Sequence, residues 1–332
     1  MLKILGDINF SDGYFHIGNG IGTSIARGIN PFANLERNSE DFWIGNFECV
    51  CANVEKTNHP FVISPDSLDN VKHLNLYGVA NNHVMQAGDE AYQQTIDYLK
   101  RRNILFAGTD ICRSVKFEHQ SKLVGFMAFS QRPDNFSSSP SYWHIPEYSE
   151  IATEIEKLDD CHFKIAYIHW GYEFMNYPNI DQKLLAHWLI DKGIDLVIGM
   201  HPHLAQGMEI YNGKHIFYSL GNSVFNMNWG PTKYGLLISV DLSDGRVWYD
   251  YTLIDEKGFP MIIKSVPKQF TIEYLNTLVG ISKENEKYFA EAKKYYYKYR
   301  KVNRQSIILN LLKLPHQSRK MIIRDFIIRM FK

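Results

Sequence analysis

The chain has 332 residues, enough for one large core or a core plus an extension. Hydrophobic residues make up 45% and charged residues 22%, the ordinary balance of a soluble globular protein. The 36 cationic and 36 acidic side chains cancel, so no whole-chain field points to nucleic acid.

The chain opens MLKILGDINF, whose apolar part is far shorter than the core of an export signal. Leu2–Ile8 is expected as a buried strand. A second strand is expected over Asp41–Phe47, ending in Gly45-Asn46-Phe47-Glu48, and a third over Leu74–Ala80, running into Asn81-Asn82-His83. Asp89–Arg102 has helical spacing through Ala91, Ile96, Tyr98 and Leu99. Ile104–Ala107 and Leu123–Phe129 are expected strands. A loop rich in Ser, Pro and Asn follows over Gln131–Tyr142, suited to a rim or lid. Ile165–His169 and Leu196–Met200 are short β-rich runs on either side of an expected helix, Gln182–Lys192. Ile216–Leu220, Gly235–Leu242 and Val247–Ile254 make the second half strand-rich. This order predicts an α/β sandwich.

The composition changes after about Pro260. Glu284–Arg304 is aromatic and lysine-rich, with KKYYYKYRK at its centre, and Ser306–Lys332 mixes Ile and Leu with Arg and Lys. A domain is therefore expected over 1–260 and a basic, aromatic-rich C-terminal helical extension over 261–332. No run approaches the roughly 20 apolar residues that span a bilayer. Cys49, Cys51, Cys112 and Cys161 lack the spacing of a zinc knuckle or redox motif and are expected as reduced thiols. The protein is expected in the cytoplasm, with peripheral contact at the inner membrane face as the alternative.

Polar residues gather at the carboxyl ends of the expected strands, where α/β folds place ligands. Asp7, Glu48, Asn82 with His83, and His169 each follow such a run, as do His201 and His203. Three imidazoles, two carboxylates and one carboxamide suit Zn, Mn, Fe or Ni and lack the thiolates of a structural zinc site. Six ligands exceed what one open catalytic ion needs and match two ions sharing a carboxylate, with a metal-bridged hydroxide between them. His83 is the natural proton donor to a leaving group. Each piece alone is weak: a lone Gly6-Asp7 after a strand is usually a turn, and Asn81-Asn82-His83 also suits a polar turn capping the following helix. The ordered combination carries the weight.

Gly6-Asp7, Gly45-Asn46-Phe47-Glu48, Ala80-Asn81-Asn82-His83, His169-Trp170-Gly171-x-Glu173, Gly199-Met200-His201-Pro202-His203 and Tyr218-Ser219-Leu220-Gly221-Asn222 occur in that order. Over roughly residues 1–255 the chain resembles the CapA family, the poly-γ-glutamate capsule biosynthesis proteins of the calcineurin-like metallophosphoesterase superfamily. The resemblance implies a four-layer αββα sandwich with two divalent transition metal ions (Mn, Fe or Zn) at the strand ends. It implies that Asp7 binds the first ion with His203, that Glu48 bridges both, and that Asn82, His169 and His201 bind the second. His83 would be the general acid. Asn46, Asn81, Glu173, Gln206 and Glu209 would belong to a surrounding polar or substrate-binding shell, and Asn222 to a substrate contact or a structural turn. Two departures stand out. Asp7-Ile8-Asn9 replaces the superfamily's Asp-x-His, leaving Asn9 as a weak ligand or the first site ligand-poor. Gln86 stands where many relatives have Asp after Asn-Asn-His.

The expected function is metal-dependent hydrolysis of a phosphoester, or a related bond, on a phosphorylated or polymer-linked cell-surface substrate. Amide or γ-glutamyl hydrolysis on the same centre is one alternative. A non-catalytic role beside polymer-assembly proteins is another. Ile307, Ile308, Leu311, Leu312, Ile322, Ile323, Phe326, Ile327 and Phe331 alternate with cations at near-helical spacing. They suit either an interfacial amphipathic helix or a helix packed on the core. No nucleic-acid partner is expected, since the rest of the chain lacks a basic face.

Overall fold

The computed structural model describes residues 1–53, 59–281 and 283–302 continuously, and 308–309, 311–312, 316, 319–320, 323–324 and 327 beyond them. The longer sheet runs in the order β16-β15-β14-β1-β2-β5-β6, with β13 pairing β1. Its members are β1 (Leu2–Ile8), β2 (Phe42–Phe47), β5 (Leu76–Gly78), β6 (Leu105–Ala107), β13 (Asn222–Val224), β14 (Tyr234–Asp241), β15 (Arg246–Ile254) and β16 (Pro260–Ile263). The second sheet runs β11-β12-β10-β9-β8-β7. It comprises β7 (Ser114–His119), β8 (Lys122–Ser130), β9 (Phe163–His169), β10 (Leu196–Met200), β11 (Met208–Tyr211) and β12 (Lys214–Phe217). A two-stranded ladder, β3 (Val50–Cys51) with β4 (Val62–Ile63), stands apart.

Successive residues of β1 show why the central strands read as unbroken apolar runs. Leu2 and Ile4 face the second sheet, packing with Phe126, Ile165, Leu196 and Ile198. Leu5 and Ile8 face outward, where α1 (Ile21–Ala26), α2 (Pro65–Leu68) and α3 (Asp89–Arg101) contribute Ile25, Leu68, Ile96 and Leu99. On the far side of the second sheet, Met127, Ala166 and Val197 pack under Ile151 and Ile155 of α4 (Tyr148–Glu156) and Leu185 and Leu189 of α5 (Ile180–Asp191). Strands buried on both faces have no polar alternation. The result is the four-layer αββα sandwich expected from the sequence.

Local chemistry sets the helix starts. Asn179 and Gln182 form a reciprocal capping box at the start of α5, each side chain accepting the other's backbone N–H, at 2.8 and 3.0 Å. The expected strand over Ile216–Leu220 is displaced. Pairing ends at Phe217, and Gly221, at φ 71°, turns the chain so that Asn222 starts β13 beside β1. β16 pairs antiparallel with β15 and carries the sheet past residue 260. The Gln131–Tyr142 stretch forms no helix or ladder strand.

The C-terminal helices pack on the core. α6 (Ile272–Val279) buries Ile272 and Leu275 against the inter-sheet core. α7 (Asn285–Val302) buries Tyr288 and Ala292 with Met175 and Tyr177, and lays Tyr296 and Tyr299 on Phe174. The expected amphipathic segment Ser306–Lys332 lies largely outside the described residues. Of its apolar side chains, Ile308, Leu312, Ile323 and Ile327 are exposed, while Leu311 packs near Phe174 and Trp229. Among the described residues no helix is long and apolar enough to cross a membrane. All four cysteines are free thiols, with Cys49 and Cys51 buried.

Candidate metal centre

Asp7 reaches the strand-end crevice because β1 is clamped on both sides. Its carbon partners in register are Asn46 on β2 and Asn222 on β13, and its N–H donates to Gly221 O at 3.0 Å. Gly6 permits that approach, since a Cβ there would sit 2.0 Å from Gly221 O. Glu48 follows β2, with its N–H on Ile8 O at 2.7 Å. Opposite them, β9 ends at His169, in register with Met200 at the end of β10. His201 and His203 follow with φ values of 93° and 57°, a left-handed backbone that side chains rarely adopt and that marks functional turns.

These turns bring the side chains together. Ligand atoms of Asp7, Glu48 and His169 lie within 4.8 Å of one another, all fully buried or nearly so. The carboxamide Oδ1 of Asn82 lies 2.8 Å from His169 Nε2. His203 Nδ1 lies 3.5 Å from Asp7 Oδ2, and its Nε2 lies 3.9 Å from Glu48 Oε1. The His201 ring sits 4.7 Å from that of His169 and 5.9 Å from that of His203, while its backbone N–H donates to Asp7 Oδ2 at 3.2 Å. The residues fit a divalent cation on an independent ground. Glu48 Oε1 and both ring nitrogens of His201 are buried without a hydrogen-bond partner, an arrangement that is costly unless something coordinates them. Nitrogen and oxygen donors without thiolate suit a transition ion.

Electrostatics split the carboxylates. Burial pushes Asp7 up, but its hydrogen bond and attraction to His203, with help from His169, hold it below the usual range. Burial also drives Glu48, and the charges of Asp7 and Glu173 add to it, leaving its pKa well above the usual value. Burial pushes His169 down to about 3. It lowers His201 as well, and the Arg132 guanidinium adds to that. Neutral imidazoles are the metal-binding form.

Asn46 donates to Asp7 Oδ1 at 2.8 Å and to Glu48 Oε2 at 3.4 Å, and lies 3.4 Å from His169 Nδ1. Asn81 supports it, donating to Asn46 Oδ1 and Phe47 O and accepting from the N–H groups of His83 and Val84. Asn222 accepts from His203 Nδ1 at 2.9 Å and donates to Thr232 O at 3.1 Å, so it is both a turn residue and a prop for His203. His83 stacks on Phe61 at 4.5 Å and 9°, presenting Nε2 3.8 Å from Glu48 Oε1. Gln86 props the ring: its Oε1 lies 2.6 Å from His83 Nδ1, and its amide donates to the Tyr14 hydroxyl.

Three expected members sit elsewhere. Asn9 turns its Oδ1 to the N–H and hydroxyl of Ser11, at 2.8 and 2.6 Å, an Asx turn that occupies the oxygen meant for a metal. Gln206 donates to the carbonyls of Met175 and Tyr177 and ties down the segment after His169. Glu209 lies on β11 and engages the Tyr218 hydroxyl and His187, away from the cluster, because β11 is the outer edge of the second sheet. Glu173 pairs with Arg300 of α7 at 2.7 Å. The strand-end signal missed Phe61, Arg300 and Arg132, although Arg132 stands just past β8.

Residues 2–227 match the profile of the bacterial capsule synthesis protein family PGA_cap. The chain belongs to that family. Relatives include the PGA biosynthesis protein CapA of Bacillus subtilis, 29% identical over 194 residues, covering 53% of this chain and 49% of that protein. The capsule biosynthesis protein CapA of Bacillus anthracis is 27% identical over 274 residues, covering 73% of this chain and 64% of that one. This PGA_cap chain thus spans about half to two thirds the length of the curated relatives it matches. Among solved structures, a 5'-nucleotidase from Candida albicans covers 92% of this chain and 58% of its own at 12% identity, with a TM-score of 0.48.

Proposed function

We propose that this PGA_cap protein is a metal-dependent hydrolase of a phosphoester, or a related bond, in capsule or cell-surface polymer biosynthesis. The observation that carries the reading is the buried convergence of Asp7, Glu48, Asn82, His169, His201 and His203 around orphaned atoms of Glu48 and His201. Asp7, His203 and Glu48 would hold one ion, and Glu48, Asn82, His169 and His201 a second. Bound divalent ions would supply a nucleophile at neutral pH and neutralise charge on the attacked group.

The protein's own part is orientation and proton delivery. Asn46 donates to both Asp7 and Glu48 and so ties the two carboxylates together. Gln86 and Phe61 hold the His83 ring from two sides, leaving Nε2 turned toward the cluster to pass a proton to the leaving group. Elemental analysis of protein reconstituted with Mn should find close to two ions. An aryl phosphodiester should turn over, and His83→Ala should lower its rate by roughly 100-fold or more at unchanged metal content. Absence of metal uptake after reconstitution sinks the reading.

One observation favours a second reading, a binding role among polymer-assembly proteins. With Asn9 committed to Ser11, a first ion would have only Asp7, Glu48 and His203 to draw on among the proposed ligands. Protein that loads metal yet is inert on phosphodiester and γ-glutamyl substrates would support it.

A further inference from the structure

The stretch from Ser130 to Arg132 is pinned against the end of β9. Ser130 is in register with His169, Gln131 N–H donates to His169 O at 2.9 Å, and Arg132 N–H donates to the Ser130 hydroxyl at 3.1 Å. The Arg132 guanidinium lies over the Tyr172 ring at 4.9 Å, three residues past His169. Its Nε is buried with no hydrogen-bond partner, and among the described residues its guanidinium forms no ion pair. The other partly buried arginines are engaged. Arg37 donates to the carbonyls of Lys72 and His73, Arg113 pairs with Glu150, and Arg300 pairs with Glu173. Glu173, the acid whose charge acts most on Arg132, is therefore already claimed at 2.7 Å by Arg300. The charge of Arg132 is also felt by both His169 and His201.

A partly buried guanidinium without an acid is costly until an anion completes it. Its planar fork matches two oxygens of one oxyanion, and the Tyr172 ring lies beneath it. We propose that Arg132 binds an oxyanion group of the substrate, phosphoryl or carboxylate, placed at the metal centre. This rests on the metal-centre reading above. It adds that the substrate is anionic at or beside the scissile bond, and that a loop residue outside the ligand set recognises it.

The test titrates metal-loaded protein with inorganic phosphate and, separately, with glutarate, following heat of binding, with metal content measured on the same samples. The wild type should bind at least one anion. Arg132→Gln should weaken binding by roughly 10- to 100-fold, the loss expected for a charge-assisted pair, at unchanged metal content. Arg132→Lys should recover only part, because an ammonium lacks the fork. Preference for phosphate assigns a phosphoryl group, preference for glutarate a carboxylate, and either supports the proposal. Variants that bind like the wild type overturn it. A metal-loaded wild type that binds neither anion overturns it while leaving the metal centre standing, and failure to load metal overturns both. If Arg132→Gln does not fold, Arg132→Lys, with melting temperature as control, carries the same decision.

Discussion

Replacing Glu48 by Gln keeps the side-chain shape and removes one of the cluster's two buried carboxylates. Ligand atoms of Asp7 and Glu48 lie within 4.8 Å, and at an effective dielectric of about 20 two unit charges at that distance repel by about 3 kcal/mol. The Asn46 amide, donating to both, offsets part of this. Metal-free Glu48→Gln protein should therefore be more stable than the wild type by about 2 kcal/mol near neutral pH. The sign follows from linkage. Burial and the Asp7 charge raise the folded pKa of Glu48 above its ordinary 4.5. The penalty is thus absent below that value and grows as pH rises through it. Urea melts of chelator-treated protein between pH 4 and pH 8 measure the gap. With divalent metal present the order should reverse, because the wild type gains about 2.7 kcal/mol at one hundred times its Kd, and the variant, lacking the bridging carboxylate, gains far less at the same metal concentration. A metal-free wild type that equals or exceeds the variant at pH 7.5, or a gap indifferent to pH, refutes the reasoning.

Gly6→Ala places a Cβ 2.0 Å from the Gly221 carbonyl, so β1 must shift. It should cost about 3 kcal/mol in a urea melt and lower metal stoichiometry by displacing Asp7. Arg300→Met leaves Glu173, whose side chain is 15% exposed, without its 2.7 Å partner. It should destabilise by up to about 3 kcal/mol and speed proteolysis within α7 rather than in the sheets. His73, which contacts Leu68 O and the hydroxyls of Tyr77 and Tyr98, is pushed by burial, with Arg102 adding, down to about 4. Its neutral form stabilises the fold above pH 6.5, and that contribution, up to about 3 kcal/mol, should fade between pH 6.5 and pH 4. A His73→Gln variant should show a flatter stability profile across that window.

The candidate ligands stood out in the sequence because each lies at or within a few residues of the end of a strand buried on both faces, and such strands announce themselves as apolar runs. Leu2–Ile8 and Ile165–His169 end where the structure ends them or within a residue or two. Asn9 and Glu209 were misjudged for opposite reasons. Asn9 has the right position and the wrong orientation, since Ser11 captures its oxygen locally. Glu209 follows His203 closely in sequence, but the chain leaves the crevice at Gln206 for the sheet edge. Short strands such as β3, β4 and β13 carry too few residues for a period to show. Arg300 was hidden among the cations of KKYYYKYRK, where only the tertiary contact with Glu173 sets it apart.

The cluster takes its side chains from strand ends in both sheets, from Asp7 at one end of the chain to Asn222, the partner of His203, far along it. Neither sheet holds a complete set: Asp7, Glu48 and Asn82 come from the first, and His169, His201 and His203 from the second. If these residues hold metal as proposed, an ion would find its full complement only after the two halves had docked, and could not template either of them. Coordination would then close a folding process rather than start it. In a shortened or half-folded chain, affinity for the ion should vanish before secondary structure does.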